Sequence, residues 1–427
     1  MIARFLGRER SSSSHAVLTT FGAGIATRAL VFVMTILVAR RLSPEGYGQF
    51  TFATGCALLV AQAAGFGWPM LMSRLLPAYR AQEDWAAMRA LLRWADIVVI
   101  ATSTLATVLL ATVVLLAGLK AEITAGLALA LFLIVPNSIN LARRSQLAGI
   151  RRPASGILLD EGLPPAILIA ALFFLGIDDP ERAVIGLAAA TVVAAAAATA
   201  TLWRGVPREV WRAQAKGEPR TWTLMAFPLL LGLLSKLLMD RMDILMLGPL
   251  GGFEETGYYG SAYRLTYLLT FPQVMLMTVM TPILSEMYAS GGHARLWRAF
   301  RLSALFALAT SLPASLLLFV FPAEVLSLAY GSQYEPAAPT LQILALVQSV
   351  TALAIPCTSL LVATGHGRSY GTFSLIGLMV NAALNLVLIQ SMGATGAALA
   401  SLAGILIIFL GQGRQIIRMR RSMKIGD

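Results

Sequence analysis

Several ionisable side chains sit inside long apolar runs, where a charge costs roughly 2.5–3.5 kcal/mol on membrane-insertion scales and marks a cavity or a pair. Arg28 lies near the middle of the first such run and Lys236 near the middle of the seventh. Across a cleft, the two cations would make a site for an anion such as a pyrophosphate. Lys236 can equally pair with Asp240 one turn on and knit helices together. Lys236, Asp240 and Asp243 stand at i, i+4 and i+7, on one helical face, while Arg241 points away. Asp240 or Asp243 can therefore bind Na⁺ or a proton for coupling, or serve a structural ion pair. Arg264 falls within the stripe Tyr259, Tyr263, Tyr267. Aromatic faces with a guanidinium suit a sugar or a phosphate, and tyrosines near a membrane boundary are also ordinary anchors. Asp160 and Glu161 precede Gly162-Leu163-Pro164-Pro165, which must loosen a helix. Two acids there can hold a cation or close a salt bridge to nearby arginines. Gln62, Asn137, Asn140, Asn381 and Asn385 read as interhelical hydrogen bonds.

The elements that must position these residues are membrane helices. Of the 427 residues 57% are hydrophobic and only 13% charged, more apolar surface than a water-soluble core hides. The runs do not alternate polar and apolar residues, which argues against a barrel. The expected fold is all-α, with about twelve spans near 16–39, 49–72, 94–118, 122–142, 155–176, 183–203, 223–248, 257–285, 302–321, 338–363, 370–390 and 394–413. With both termini in the cytosol, 25 of the 33 Lys and Arg residues fall on the cytosolic side. The net charge of +12 is thereby a topology signal rather than a sign of nucleic acid. Cys56 and Cys357 lie in apolar runs and read as small buried hydrophobes. Three histidines, no Gly-rich lysine loop, no metal-spaced Cys/His cluster and no G-x-S-x-G elbow leave little for an enzyme or a nucleotide-driven pump.

The polar gap 204–222 splits the chain into six spans plus six: a tail 1–15, an N-lobe 16–203, a linker 204–222, a C-lobe 223–413 and a basic tail 414–427. The halves repeat. Thr27-Arg28 and Thr35-Ile36-Leu37 recur as Ser235-Lys236 and Asp243-Ile244-Leu245, and Glu45-Gly46-Tyr47 recurs as Glu255-Thr256-Gly257-Tyr258. An even number of spans per half gives lobes of one orientation, related by an axis along the membrane normal.

The run Ala39-Arg40-Arg41-Leu42-Ser43-Pro44-Glu45-Gly46-Tyr47-Gly48 and then Gly65-Phe66-Gly67 resemble the start of polysaccharide-transport flippases of the multidrug, oligosaccharidyl-lipid and polysaccharide exporter superfamily. Thr256-Gly257-Tyr258-Tyr259, Ala262-Tyr263-Arg264-Leu265, Ala363-Thr364-Gly365 and Gly393-Ala394-Thr395-Gly396-Ala397-Ala398-Leu399-Ala400 extend the resemblance over nearly the whole chain. It implies two six-helix bundles around a central cavity, cationic in this family. It also implies transfer of undecaprenyl-pyrophosphate-linked oligosaccharide, an O-antigen or exopolysaccharide unit, from the cytosolic to the outer leaflet.

The expected activity is therefore a flippase of the bacterial inner membrane, working by alternating access as a monomer. The drive is a Na⁺ or H⁺ gradient or the membrane potential, with no cofactor. The expected partners are the lipid-linked glycan, membrane lipids and other polysaccharide-assembly proteins, with no nucleic acid. The rivals are a cation-coupled multidrug antiporter and, in another class, a membrane polysaccharide polymerase or ligase. Arg28→Gln and Lys236→Gln in a deletion strain are expected to lower surface polysaccharide; undiminished polysaccharide would remove the anion site.

Overall fold

The computed structural model describes residues 11–425, apart from the side chains of 11–18, 231–236, 239, 270, 271, 275, 278, 279 and 422–425. Every regular element among the described residues is helical, as expected where hydrocarbon gives backbone groups no partner but their own segment. In chain order these are α1 (Ser11–Arg41), α2 (Pro44–Ala64), α3 (Trp68–Ala81), α4 (Trp85–Leu116) and α5 (Ala121–Gly149). Then come α6 (Pro153–Phe174), α7 (Pro180–Gly205), the short α8 (Arg208–Arg212) and α9 (Pro219–Gly251). The second half adds α10 (Phe253–Tyr267), α11 (Phe271–Ala289), α12 (His293–Val320), the short α13 (Pro322–Tyr330), α14 (Ala338–Ala363) and α15 (Gly367–Ile425).

Among the described residues eight helices can cross a bilayer by length and composition, and α2 with α3, bent by 49° at their junction, makes a ninth. The sequence predicts about twelve. The difference lies in α9, in α10–α11, whose side chains are partly outside the description, and in α15. The last is two helices joined at Gly393, whose φ of 55° and ψ of −131° no helix contains. Glu255 explains that break. Its Oε2 accepts the Ala394 N–H at 2.6 Å, so a carboxylate caps the first free amide after the kink. A Cβ at position 393 would stand 2.2 Å from the same Oε2.

Other helix starts are set by side chains in the same way. Asp84 accepts from Ala87 N at 2.9 Å to open α4, and Asp179 accepts from Arg182 N at 2.9 Å to open α7. Lipid-facing positions are apolar: Leu109, Phe132, Leu305 and Leu316 are all more than half exposed.

The chain forms two compact units. Unit 1 holds residues to Leu42 and Phe52–Leu238; unit 2 holds Ser43–Thr51 and residues from Met239 onward. The core of unit 1 includes Trp68, Leu71, Met72, Leu76, Met88, Leu91 and Trp222. Trp222 Nε1 donates to the Tyr79 hydroxyl at 3.1 Å. The polar segment after α7 lies along this core: Val206 and Val210 are buried in it, and Arg89 Nη1 donates to the carbonyls of Trp211 and Ala213 at 2.8 and 2.6 Å. Arg143, a topology signal in the sequence, is buried. It donates to Asp96 and Gln146, each at 2.6 Å, and to Thr199 at 2.9 Å. Asp96 also accepts from Gln146 at 2.9 Å.

In unit 2 the first turns of α2 cross the start of α10 at backbone contact. A Cβ on Gly48 would lie 1.7 Å from Phe253 O, and one on Gly257 would lie 2.0 Å from Pro44 O. Around the crossing Tyr47, Tyr258, Tyr330 and Tyr334 pack ring to ring at centroid distances of 5.5–6.5 Å. Gly257→Val should therefore force the helices apart and cost about 1–3 kcal/mol. Thermal unfolding of the detergent-solubilised protein checks this, with Gly371→Ala as the control. A Cβ at Gly371 meets nothing, so that change is expected to be neutral or slightly stabilising.

Candidate functional site

Asp243 of α9 is buried in unit 2, and four neutral donors converge on its carboxylate. Asn385 Nδ2 and Asn381 Nδ2 reach Oδ1 at 2.7 and 3.0 Å. The Tyr259 hydroxyl reaches Oδ2 at 2.5 Å, and the Ser401 hydroxyl donates to the same oxygen. The helices explain the convergence: Asn381 and Asn385 stand at i and i+4 in the first part of α15, so one face presents both amides. Ser401 comes from the part beyond the Gly393 kink, and Tyr259 from α10. Asn381 Nδ2 also donates to Ser401 at 3.2 Å, and Asn385 Nδ2 to Asn381 Oδ1 at 3.2 Å. Asn385 Oδ1 is buried without a hydrogen-bond partner. The cluster thus offers one carboxylate and several neutral oxygens, a donor set that suits a proton or a hard monovalent cation.

Tyr259 continues the site along α10. Its ring stacks on Tyr263 with centroids 6.1 Å apart and planes at 12°, and Tyr263 meets Tyr267 at 5.9 Å. Spacing of four residues puts the three rings on one helical face. Tyr259 is buried, Tyr263 half-buried and Tyr267 42% exposed, so the column runs from the carboxylate to an open surface. Asp240, Arg241 and Arg264 interact electrostatically with Tyr263, and Arg264 also approaches the Tyr47 hydroxyl. Asp240 is exposed, separate from the buried Asp243 on the same helix.

In unit 1 the acids at 160 and 161 lie in a π-turn of α6, Leu158–Gly162. Pro164 and Pro165 supply no N–H, which deprives two carbonyls of their helical donors and explains the widened turn. Arg144 Nη1 donates to Asp160 Oδ2 at 3.3 Å and to Glu161. Gly162 of this turn packs on Thr27 of α1, beside the half-buried Arg28. Lys236 belongs to α9, but its side chain lies outside the described residues.

The structure therefore gathers Tyr259, Tyr263, Tyr267, Asp240, Asp243 and Arg264 in unit 2, and Arg28, Asp160 and Glu161 in unit 1. Asn381 and Asn385 appear in the sequence only as polar residues in a span, with their i, i+4 spacing the one signal of a common target. Ser401 is not singled out by sequence, because nothing distinguishes a serine in an Ala/Gly-rich helix. At the place in the first half that corresponds to Asp243 stands Thr35, buried and donating to Phe32 O at 2.8 Å, so the repeat keeps the position and changes its charge.

Comparison with known proteins agrees with this architecture. Residues 15–288 match the family described as "Polysaccharide biosynthesis protein", and residues 228–387 match the family MatE. The "EPS I polysaccharide export inner membrane protein EpsE" of Ralstonia solanacearum is 24% identical, with 97% of each chain covered. Among solved structures, an inward-facing multidrug resistance MATE family transporter of the MOP superfamily superposes with a TM-score of 0.74 at 15% identity. That match covers 95% of this chain and 98% of the other. The lipid II flippase MurJ, in an inward closed conformation, superposes with a TM-score of 0.71 at 14% identity, covering 94% of this chain and 87% of that one. These structures share the fold. With well over half of its length matched, the chain belongs to the polysaccharide biosynthesis protein family, an all-helical membrane family of the same fold as MATE transporters and MurJ.

Proposed function

We propose that this protein is a flippase that moves a lipid-linked oligosaccharide across the bacterial inner membrane, driven by a cation that loads at Asp243. The observation that carries the reading is the buried Asp243 carboxylate, held by neutral donors and joined through Tyr259 to an aromatic column. A carboxylate in a membrane interior is expensive and is retained where its charge is used. Cation loading there cancels the charge, and that gives the unit two states of different energy, the requirement for coupling a gradient to a conformational change. Asp243, Asn381, Asn385 and Ser401 supply only oxygen toward such an ion once the amides turn, which suits Na⁺, while Asp243 alone suffices for H⁺.

The cargo follows from the family and from the chemistry of the open surface. A relative over almost the full length is an exopolysaccharide export protein of the inner membrane. Tyrosine faces stack on sugar rings, and Arg264 beside them, with Arg28 and Lys236 from the apolar runs, suits a pyrophosphate linker such as that of an undecaprenyl carrier. The lobes 16–203 and 223–413 alternate access as a monomer, with both termini cytosolic. Asp240, Asp160 and Glu161 are secondary candidates for coupling. The MatE match over residues 228–387 supports a second reading, a cation-coupled multidrug antiporter.

In a deletion strain, Asp243→Asn should reduce surface polysaccharide by about tenfold or more. Lipid-linked glycan should then accumulate on the cytosolic side. Unchanged polysaccharide would remove Asp243 from the mechanism, and altered drug susceptibility with unchanged polysaccharide would establish the antiporter. Cysteines at Lys216 and Lys424 should label only from the cytosol, and one at Lys120 only from outside.

A further inference from the structure

The four donors on Asp243 do not respond alike to a change of charge on that carboxylate. An amide must turn about its side-chain torsion before it offers oxygen instead of N–H. A serine hydroxyl in a helix, such as that of Ser401, can turn to the carbonyl four residues back, a bond that many hydroxyls of this chain make. A tyrosine hydroxyl sits at the far end of a rigid ring and has no such acceptor in its helix. For Tyr259 the alternative to Asp243 is the Ser401 hydroxyl beside it, so loading of Asp243 makes the phenol exchange acceptors or turn its lone pair inward. Either change acts on a ring that is 2% exposed and stacked nearly parallel on Tyr263. Close packing passes displacement of one ring to the next. The end of the column is Tyr267, open to the surroundings, with Arg264 of the same helix near the middle ring.

We propose that Tyr259 is the coupling residue: its hydroxyl senses whether Asp243 carries a cation, and its ring, stacked on Tyr263 and through it on Tyr267, conveys that state to the cargo-facing surface. This rests on the reading of Asp243 as the cation site. It changes the role of one of the three tyrosines. Tyr263 and Tyr267 meet the sugar, whereas Tyr259 positions them and touches only the ion's carboxylate.

The test uses the full-length protein with Cys56→Ser and Cys357→Ser, carrying Tyr267→Cys labelled with an environment-sensitive fluorophore. NaCl is titrated at fixed pH in potassium buffer, and pH is titrated without sodium, so that the two cations are told apart. Binding is measured separately by ²²Na⁺ retention and by proton uptake. The parent should show a saturable fluorescence change that follows binding of one of the two ions. Tyr259→Phe keeps the ring and removes the hydroxyl. It should bind the ion within about tenfold of the parent, one hydrogen bond's worth, and lose most of the fluorescence change. Tyr263→Leu, which interrupts the column below an intact hydroxyl, should bind and likewise fall silent, while Ser401→Ala should bind more weakly and keep the full response. With Tyr267 restored, Tyr259→Phe should lower the maximal rate of polysaccharide export. A full fluorescence change in Tyr259→Phe, or in Tyr263→Leu, overturns the proposal. Ion binding that persists in Asp243→Asn overturns the cation-site reading itself, and this inference with it.

Discussion

Hydrocarbon gives no hydrogen bonds, and that single property decides both where this chain is helical and where it can afford charge. Backbone groups are satisfied within each helix, so the long elements follow from apolar content alone. Side chains that are ionisable have no such internal solution and must find partners across helices. Three clusters among the described residues illustrate it: Arg143 with Asp96, Gln146 and Thr199; Arg144 with Asp160 and Glu161; Asp243 with four neutral groups. In the first an arginine meets one acid, and in the second one arginine meets two. Only the Asp243 cluster, among these three, has no arginine or lysine among its described partners, so a cation added there meets a carboxylate held by neutral donors alone.

The same economy shapes the helix interruptions. The π-turn of α6 and the kink of α15 are each built from residues that cannot continue a helix, Pro164 with Pro165 in one case and Gly393 in the other. Each carries acids at the break, in different roles: Glu255 caps the amide after the kink, whereas Asp160 and Glu161 of the widened turn face Arg144. Broken helices in a membrane persist where protein groups replace the lost bonds.

Much of this was legible in residues alone. The helices follow apolar length, and the loosened helix at 160–165 was visible in its prolines. Asp243 stood out as an acid in an apolar run, and the tyrosines stood out by their spacing of four. What sequence could not supply was partner choice. Lys236 and Asp240 lie one turn from Asp243 or from each other and read as its natural company, yet the carboxylate's described donors come from α10 and both parts of α15, 16 to 158 residues away in the chain. Arg143 looked like a cytosolic charge because a topology count weighs residue type and not burial. Ser401 had no signal, since a hydroxyl in a small-residue helix is unremarkable until something faces it.

The division of the chain into units does not respect the ends of its helices. The first turns of α2 belong to unit 2 although the rest of that helix belongs to unit 1, and α9 passes from one to the other at Leu238 and Met239. The polypeptide therefore changes unit three times, twice inside a continuous helix. Each unit thus contains a stretch of helix that chain order alone would assign to the other half. A hybrid that joined the front half of this protein to the back half of a relative would transplant mismatched rods into both bodies.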